Sequence, residues 1–218
     1  ISHPWISIFL TAVLLTGASA AHGAGFAIIE QSVRNLGNAF AGATADTEDT
    51  AAIYWNAAGI AFQPGTRVSA GAHAILPSFE FDGSAAYPLF GNLPVSGNEG
   101  GDAGVDSYVP NFYLVHGVND RISVGLGLYA PFGLAVEYDD AWVGRYHALK
   151  TELITLNVNP TVAWKVNDRL SLGAGVSAQY AEAEMSQALD FGTILAAEGA
   201  GTMPGSLDGK AVLEGDDW

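Results

Sequence analysis

The chain has 218 residues, a formal net charge of −15 and no cysteine, so it holds no disulfide and no cysteine-ligated metal. Eight Lys and Arg against 23 Asp and Glu make nucleic-acid phosphate an unfavourable partner. Apolar residues reach 49% while charged ones are only 14%, which excludes a disordered acidic tail and fits either a soluble β-protein rich in small residues or a membrane barrel.

Residues 1–20 read as a secretory signal with a truncated start. Trp5 to Thr16 is an apolar run too short for a spanning helix but right for a signal core, and Ala18-Ser19-Ala20 is a small-x-small site with the cut expected after Ala20. The alternative is a buried core helix. No Lys or Arg precedes the run and the first residue is Ile, so a positive leader is expected upstream. Residues 21–65 lack long alternation. Short helical patches (Val33, Leu36, Phe40; Ile53, Tyr54) broken by Gly37 and Gly42 suggest a compact plug inside a barrel or, more simply, an N-terminal arm.

From residue 66 the chain reads as strands, placed near 66–78, 106–117, 121–138, 148–166 and 169–187, with a sixth starting near 211. The clearest pattern puts Ile154, Leu156, Val158, Val162 and Trp164 on one face and Thr155, Asn157, Asn159 and Thr161 on the other. Arms of this length suit a bilayer-crossing strand better than a sandwich strand. VNDRISVGLGLYA (118–130) recurs as VNDRLSLGAGVSA (166–178), identical at eight of thirteen positions. Each copy is a short Asn-Asp turn followed by a strand with a small polar face, as expected of successive barrel hairpins. Tyr129, Pro131, Phe132 and Gly133 interrupt the third strand, because proline cannot donate to a ladder and glycine weakens one; a kink or a rim bulge is expected there.

Chemical motifs are sparse. Gly125 to Ala130 and Gly173 to Ala178 each match G-x-G-x-x-A, but they lie within alternating strands and read as lumen-facing glycine rather than as a dinucleotide site. His3, His22, His73, His116 and His147 have no metal-ligand spacing, and no G-x-S-x-G elbow occurs. No catalytic residue, metal or cofactor is expected. Asp46, Glu48 and Asp49, and the pairs Asp139-Asp140 and Asp216-Asp217, read as solvated loops.

The plug carries a resemblance. Gly23 to Phe26, Glu30-Gln31-Ser32, Leu36 to Gly42 and Trp55-Asn56-Ala57-Ala58-Gly59 resemble the N-terminal hatch of the FadL/TodX family, outer-membrane transporters of long-chain fatty acids and aromatic hydrocarbons. The likeness continues through Val109-Pro110-Asn111 and Tyr129 to Tyr138. It implies an all-β fold: a transmembrane antiparallel barrel of 14 strands in the family, with this chain holding the hatch and the first five to six strands. It implies a Gram-negative outer membrane, contact with its lipids and lipopolysaccharide, and a monomer when full length. It also implies a hydrophobic ligand caught by extracellular loops, held near the hatch and released sideways through a kink in the third strand. Carried over by position, Phe26 belongs to the hatch site, Asn56, Ala57, Ala58 and Gly59 to the hatch motif, and Phe191, Ile194 and Leu195 to an apolar loop groove. Two departures stand out. Asn56-Ala57-Ala58 replaces the usual Asn-Pro-Ala, and Gln187 occupies the place of a basic residue that pairs with carboxylate, which favours a hydrocarbon over a fatty acid. The competing functions are an adhesive or structural barrel and an outer-membrane lipid hydrolase. The strand count leaves unpaired edges, so the chain is expected to be the front part of a larger barrel.

Overall fold

A face that alternates apolar and polar must bury one set of side chains, and here the polar set is buried. On strand β7 (Lys150–Asn167), Ile154, Leu156, Val162 and Trp164 are 42–49% exposed, whereas Thr155, Asn157 and Thr161 between them are buried. That inverts the soluble pattern and gives the wall an apolar outer face and a polar inner one. The computed structural model describes residues 26–218. The apolar run, the expected cut after Ala20 and the first residues of the plug lie outside that range.

The strands follow one another as an antiparallel meander. β1 (Thr66–Ile75) pairs with β4 (Ser107–Gly117), and β4 with β5 (Ile122–Tyr129). β5 and β6 (Gly133–Glu137) both pair with β7. β8 (Leu170–Gly175) and β9 (Ala178–Asp190) line its other side, and β10 (Asp208–Asp217) closes the row. A small hairpin of β2 (Ala86–Tyr87) and β3 (Leu93–Pro94) sits in the first long loop. Four strands differ in their bounds from the sequence reading. The third strand is two pieces, β5 and β6. The first stops at Ile75, short of 78. The fifth is split into β8 and β9 and runs on to Asp190, where that side chain accepts the Thr193 N–H at 2.7 Å and starts helix α3 (Phe191–Ala197). The sixth begins at Asp208, earlier than 211. No helix among the described residues is long and apolar enough to cross a membrane.

Residues 26–65 fill the polar face of the sheet. Helices α1 (Val33–Leu36) and α2 (Ala52–Trp55) and a 3-10 stretch (Ala57–Phe62) form the plug. Ile53, Ile60 and Ala61 pack with Tyr113, Val115, Tyr129 and Ala163 of the wall in one buried cluster. Ile60 is fully buried, which contributes about 1.5–3 kcal/mol. Buried Asp49 ties the plug together: its carboxylate accepts from Ala51 N–H at 2.9 Å, Asn35 Nδ2 at 2.7 Å and the Ser32 hydroxyl, while its carbonyl accepts from Gln63 Nε2 at 2.8 Å.

Candidate functional site

The third strand breaks at residues 130–132, and the break opens the wall. β4 pairs with β5 only as far as Phe112↔Leu128. Beyond that, β4 residues 107–111 have no strand partner on the β5 side among the described residues, and Pro110, which has no N–H, stands on this edge. Pairing resumes past the gap, at the bridge Gly104↔Val136 and the bond from Glu137 N–H to Ala103 O at 3.0 Å.

The backbone groups of the break are not orphaned, because the plug and β7 supply partners. Ile28 N–H donates to Pro131 O and Gly133 N–H donates to Phe26 O, each at 3.0 Å. Gln31 Nε2 donates to Ala130 O at 2.7 Å. Thr155 Oγ1 accepts from Phe132 N–H at 3.0 Å and donates to Phe132 O at 2.6 Å. The plug thus pairs with the kink as a short extra strand, with Ala27 opposite Phe132.

A cavity of about 480 Å³ occupies the break. Its outer lining includes Tyr108, Pro110, Ile154 and Leu156, and its inner lining Ile28, Ile75, Val109 and Thr155. Residues from both faces of the wall thus border one space. Of the four kink residues, Phe132 and Gly133 line it, and Pro131 is buried beside it. Tyr129 points into the lumen, edge-on to Tyr54 at 5.1 Å and accepting from Asn159 Nδ2 at 2.8 Å. Phe26 contributes its carbonyl, while its side chain is half-exposed and the cavity is lined instead by Ile28.

The hatch motif seats the plug. Asn56 accepts from Ala58 N–H at 3.2 Å and donates to Thr44 O at 3.1 Å, capping the 3-10 stretch. Ala58 O accepts from Ser171 Oγ at 2.9 Å. A Cβ on Gly173 would stand 2.3 Å from Ala58 N, so Gly173 lets Ala57 and Ala58 lie directly on β8. Gly59 fits against Ala52, and Gly125 makes room for Ile53 and Ile60. Gly125, Gly127 and Gly173 therefore face the plug, while Gly175 faces Asn159 and Thr161 on the inner side of β7; all four fit the lumen-facing reading of the two G-x-G-x-x-A matches.

A second cavity, about 400 Å³, lies among the long loops. Gln187 and Ile194 line it with Tyr87, Tyr146 and Asp190. Phe191 and Leu195 do not; Phe191 covers Gly209 of β10 and Leu195 is half-buried within α3. Beside it, buried Arg145 joins the loops by donating to Asp208 at 2.9 Å, Ser96 O at 2.8 Å and Tyr146 OH at 2.7 Å. Burial opposes the guanidinium charge, but Asp208 together with Tyr146 and Tyr87 offsets it and leaves the pKa raised. Burial raises the Tyr146 hydroxyl as well.

The residues that sequence reasoning missed are Ile28, Thr155 and Arg145. Ile28 is two positions beyond Phe26, and Thr155 stood in the polar row, but only pairing across the wall brings them to the kink. Arg145 gave no signal beyond being a lone charge in an aromatic loop.

Comparison with known proteins agrees with this architecture. A family model described as outer membrane protein transport protein (OMPP1/FadL/TodX) matches residues 14–218. The chain is 35% identical, over 94% of its length, to a putative outer membrane protein of Neisseria meningitidis, covering 47% of that protein. It is 31% identical over 92% of its length to the long-chain fatty acid transport protein of Salmonella typhi, covering 46% of it. The crystal structure of a Pseudomonas aeruginosa FadL homologue superposes with a TM-score of 0.78 at 27% identity, over 89% of this chain and 47% of that one. The chain spans under half the length of these relatives. With a plugged, inside-out antiparallel wall and a family match across nearly its whole length, this chain belongs to the OMPP1/FadL/TodX family of outer-membrane transport proteins.

Proposed function

We propose that the full-length protein carries hydrophobic small molecules, long-chain fatty acids or aromatic hydrocarbons, across the outer membrane without covalent chemistry. The loop cavity beside Gln187 and Ile194 is the first stop, the plugged lumen the second, and the break in the third strand the exit into lipid. The observation that supports this reading is the cavity at the break in the wall, bordered by residues from both of its faces. An apolar ligand gains about 0.8 kcal/mol for each CH₂ kept out of water. A sideways exit keeps it out of water, while an axial path would cross the polar lumen. In lipid, unpaired backbone is costly; bonds from the plug and Thr155 support an opening that persists in a membrane.

The test is uptake of labelled oleate and toluene by cells carrying the full-length gene. Replacing Pro131-Phe132-Gly133 with a regular strand sequence is expected to abolish uptake while leaving barrel assembly intact. Unchanged uptake would sink the lateral exit, and uptake of neither ligand by the wild type would sink transport.

A further inference from the structure

The outer face of the wall beside the break is acidic. Glu152 lines the wall cavity, and among the described residues no Lys, Arg or His does. On β7 it lies two residues from Ile154, so both stand on the outer face. Residues directly opposite one another across strands share a face, which gives three adjacent outward rows. Glu137 and Lys150 form the first with Ser186 and Val212. Glu152, Glu184 and Glu214 form the second, beside Ala135. Ile154, Glu182 and Asp216 form the third, beside Gly133. These rows hold six carboxylates and one ammonium. Lys150 Nζ is shared between Glu152 at 2.7 Å and Glu184 at 2.5 Å, so that triad keeps a net negative charge.

Like charges directly opposite one another are destabilising, so the acidic rows weaken the strand pairing they stand on. Repulsion between charges also grows where water gives way to apolar surroundings, and most of the cavity lining is apolar, with Ile75, Val109, Phe132, Leu134 and Leu156 in it. A molecule in this space meets apolar side chains, a carboxylate and no cation that could pair an anion. We infer that the break in the third strand passes uncharged apolar molecules and turns back carboxylates, with Glu152 as the residue that discriminates. A hydrocarbon or an alcohol meets no net repulsion there, and a fatty acid passes only un-ionised. The inference rests on the lateral-exit reading and narrows its ligand.

The test is the initial rate at which cells carrying the full-length gene take up labelled oleate and labelled oleyl alcohol, which share a chain and differ in charge. The wild type is expected to favour the alcohol. Glu152→Gln is expected to raise oleate uptake about five-fold, the effect of removing one unit charge several ångströms away at a dielectric between those of water and protein, with the alcohol unchanged. Glu152→Asp keeps the charge and is expected to keep the discrimination. An equal gain for both ligands would show a mere widening of the opening and overturn the inference, as would unchanged rates for both. If wild-type cells take up neither ligand, the transport reading falls; if they take up both and Glu152→Gln favours neither, only the inference falls.

Discussion

The two copies of the repeated hairpin begin alike and end differently. Both start at an Asn-Asp turn, where Asn119 and Asn167 accept from the N–H of Arg121 and Arg169 at 2.9 and 2.8 Å. Both then send a glycine-bearing strand beneath the plug. The first copy runs into Pro131, leaves the sheet and bonds to the plug. The second passes Pro160, which stands on the neighbouring strand, and keeps its register: Thr161↔Gly175 below and Val158↔Ala178 above belong to one alignment. There Val176 N–H still donates to Pro160 O at 3.1 Å, and only the return bond is missing because Pro160 has no N–H. A proline in the strand, with a substitute partner waiting, opens the wall. A proline across the seam removes one bond and leaves the wall closed.

The sharpest way to break the comparison is at the glycines. Gly173→Val drives a side chain into plug backbone. It is expected to unseat residues 56–60 and cost upwards of about 3 kcal/mol, read as a lowered melting temperature and proteolysis within the plug. Gly125→Ala in the first copy meets only the ends of Ile53 and Ile60 and should cost about 1 kcal/mol. Equal effects would mean that both copies seat the plug in the same way. Thr155→Val removes both bonds to Phe132, with an expected cost of about 1–3 kcal/mol and faster hydrogen exchange at Phe132 but not at Val176. Acid gives the smallest effect. N–H groups of Gly104 and Phe79 hold the Asp102 pKa below its usual value, and those of Ala141 and Asn98 do so for Asp139. Lowered carboxyls stabilise the fold above about pH 4 and lose that contribution as pH falls through their folded values. The loops braced by these acids stand above the break in the third strand. Amide exchange should therefore rise there below about pH 4; in the second copy the rise is confined to its turn, where Lys165 holds the Asp168 carboxyl below its usual value.

Alternation made the wall legible, because a period of two fixes which side chains share a face whatever the partner strand. The kink was legible from Pro131 and Gly133. The interruption at residues 176–177 was not, since its cause lies on β7. The hatch motif was legible as a resemblance, but its work of seating Ala57 and Ala58 on Gly173 depends on a contact more than a hundred residues away in the chain. The loop groove was only half legible: Ile194 and Gln187 share a cavity, whereas Phe191 turns to Gly209, a residue that sequence spacing does not connect to it.

The bonds between residues 26–28 and residues 131–133 have a thermodynamic consequence. Plug position and the width of the opening are one variable, since moving Ile28 strips Pro131 O of its donor. Any molecule whose binding shifts the plug must change the free energy of the opening, and by linkage any molecule that widens the opening must change the first one's affinity by the same factor. The amide of Gly133, paired with Phe26 alone, becomes a reporter: its exchange rate measures how often the two halves of the switch part company.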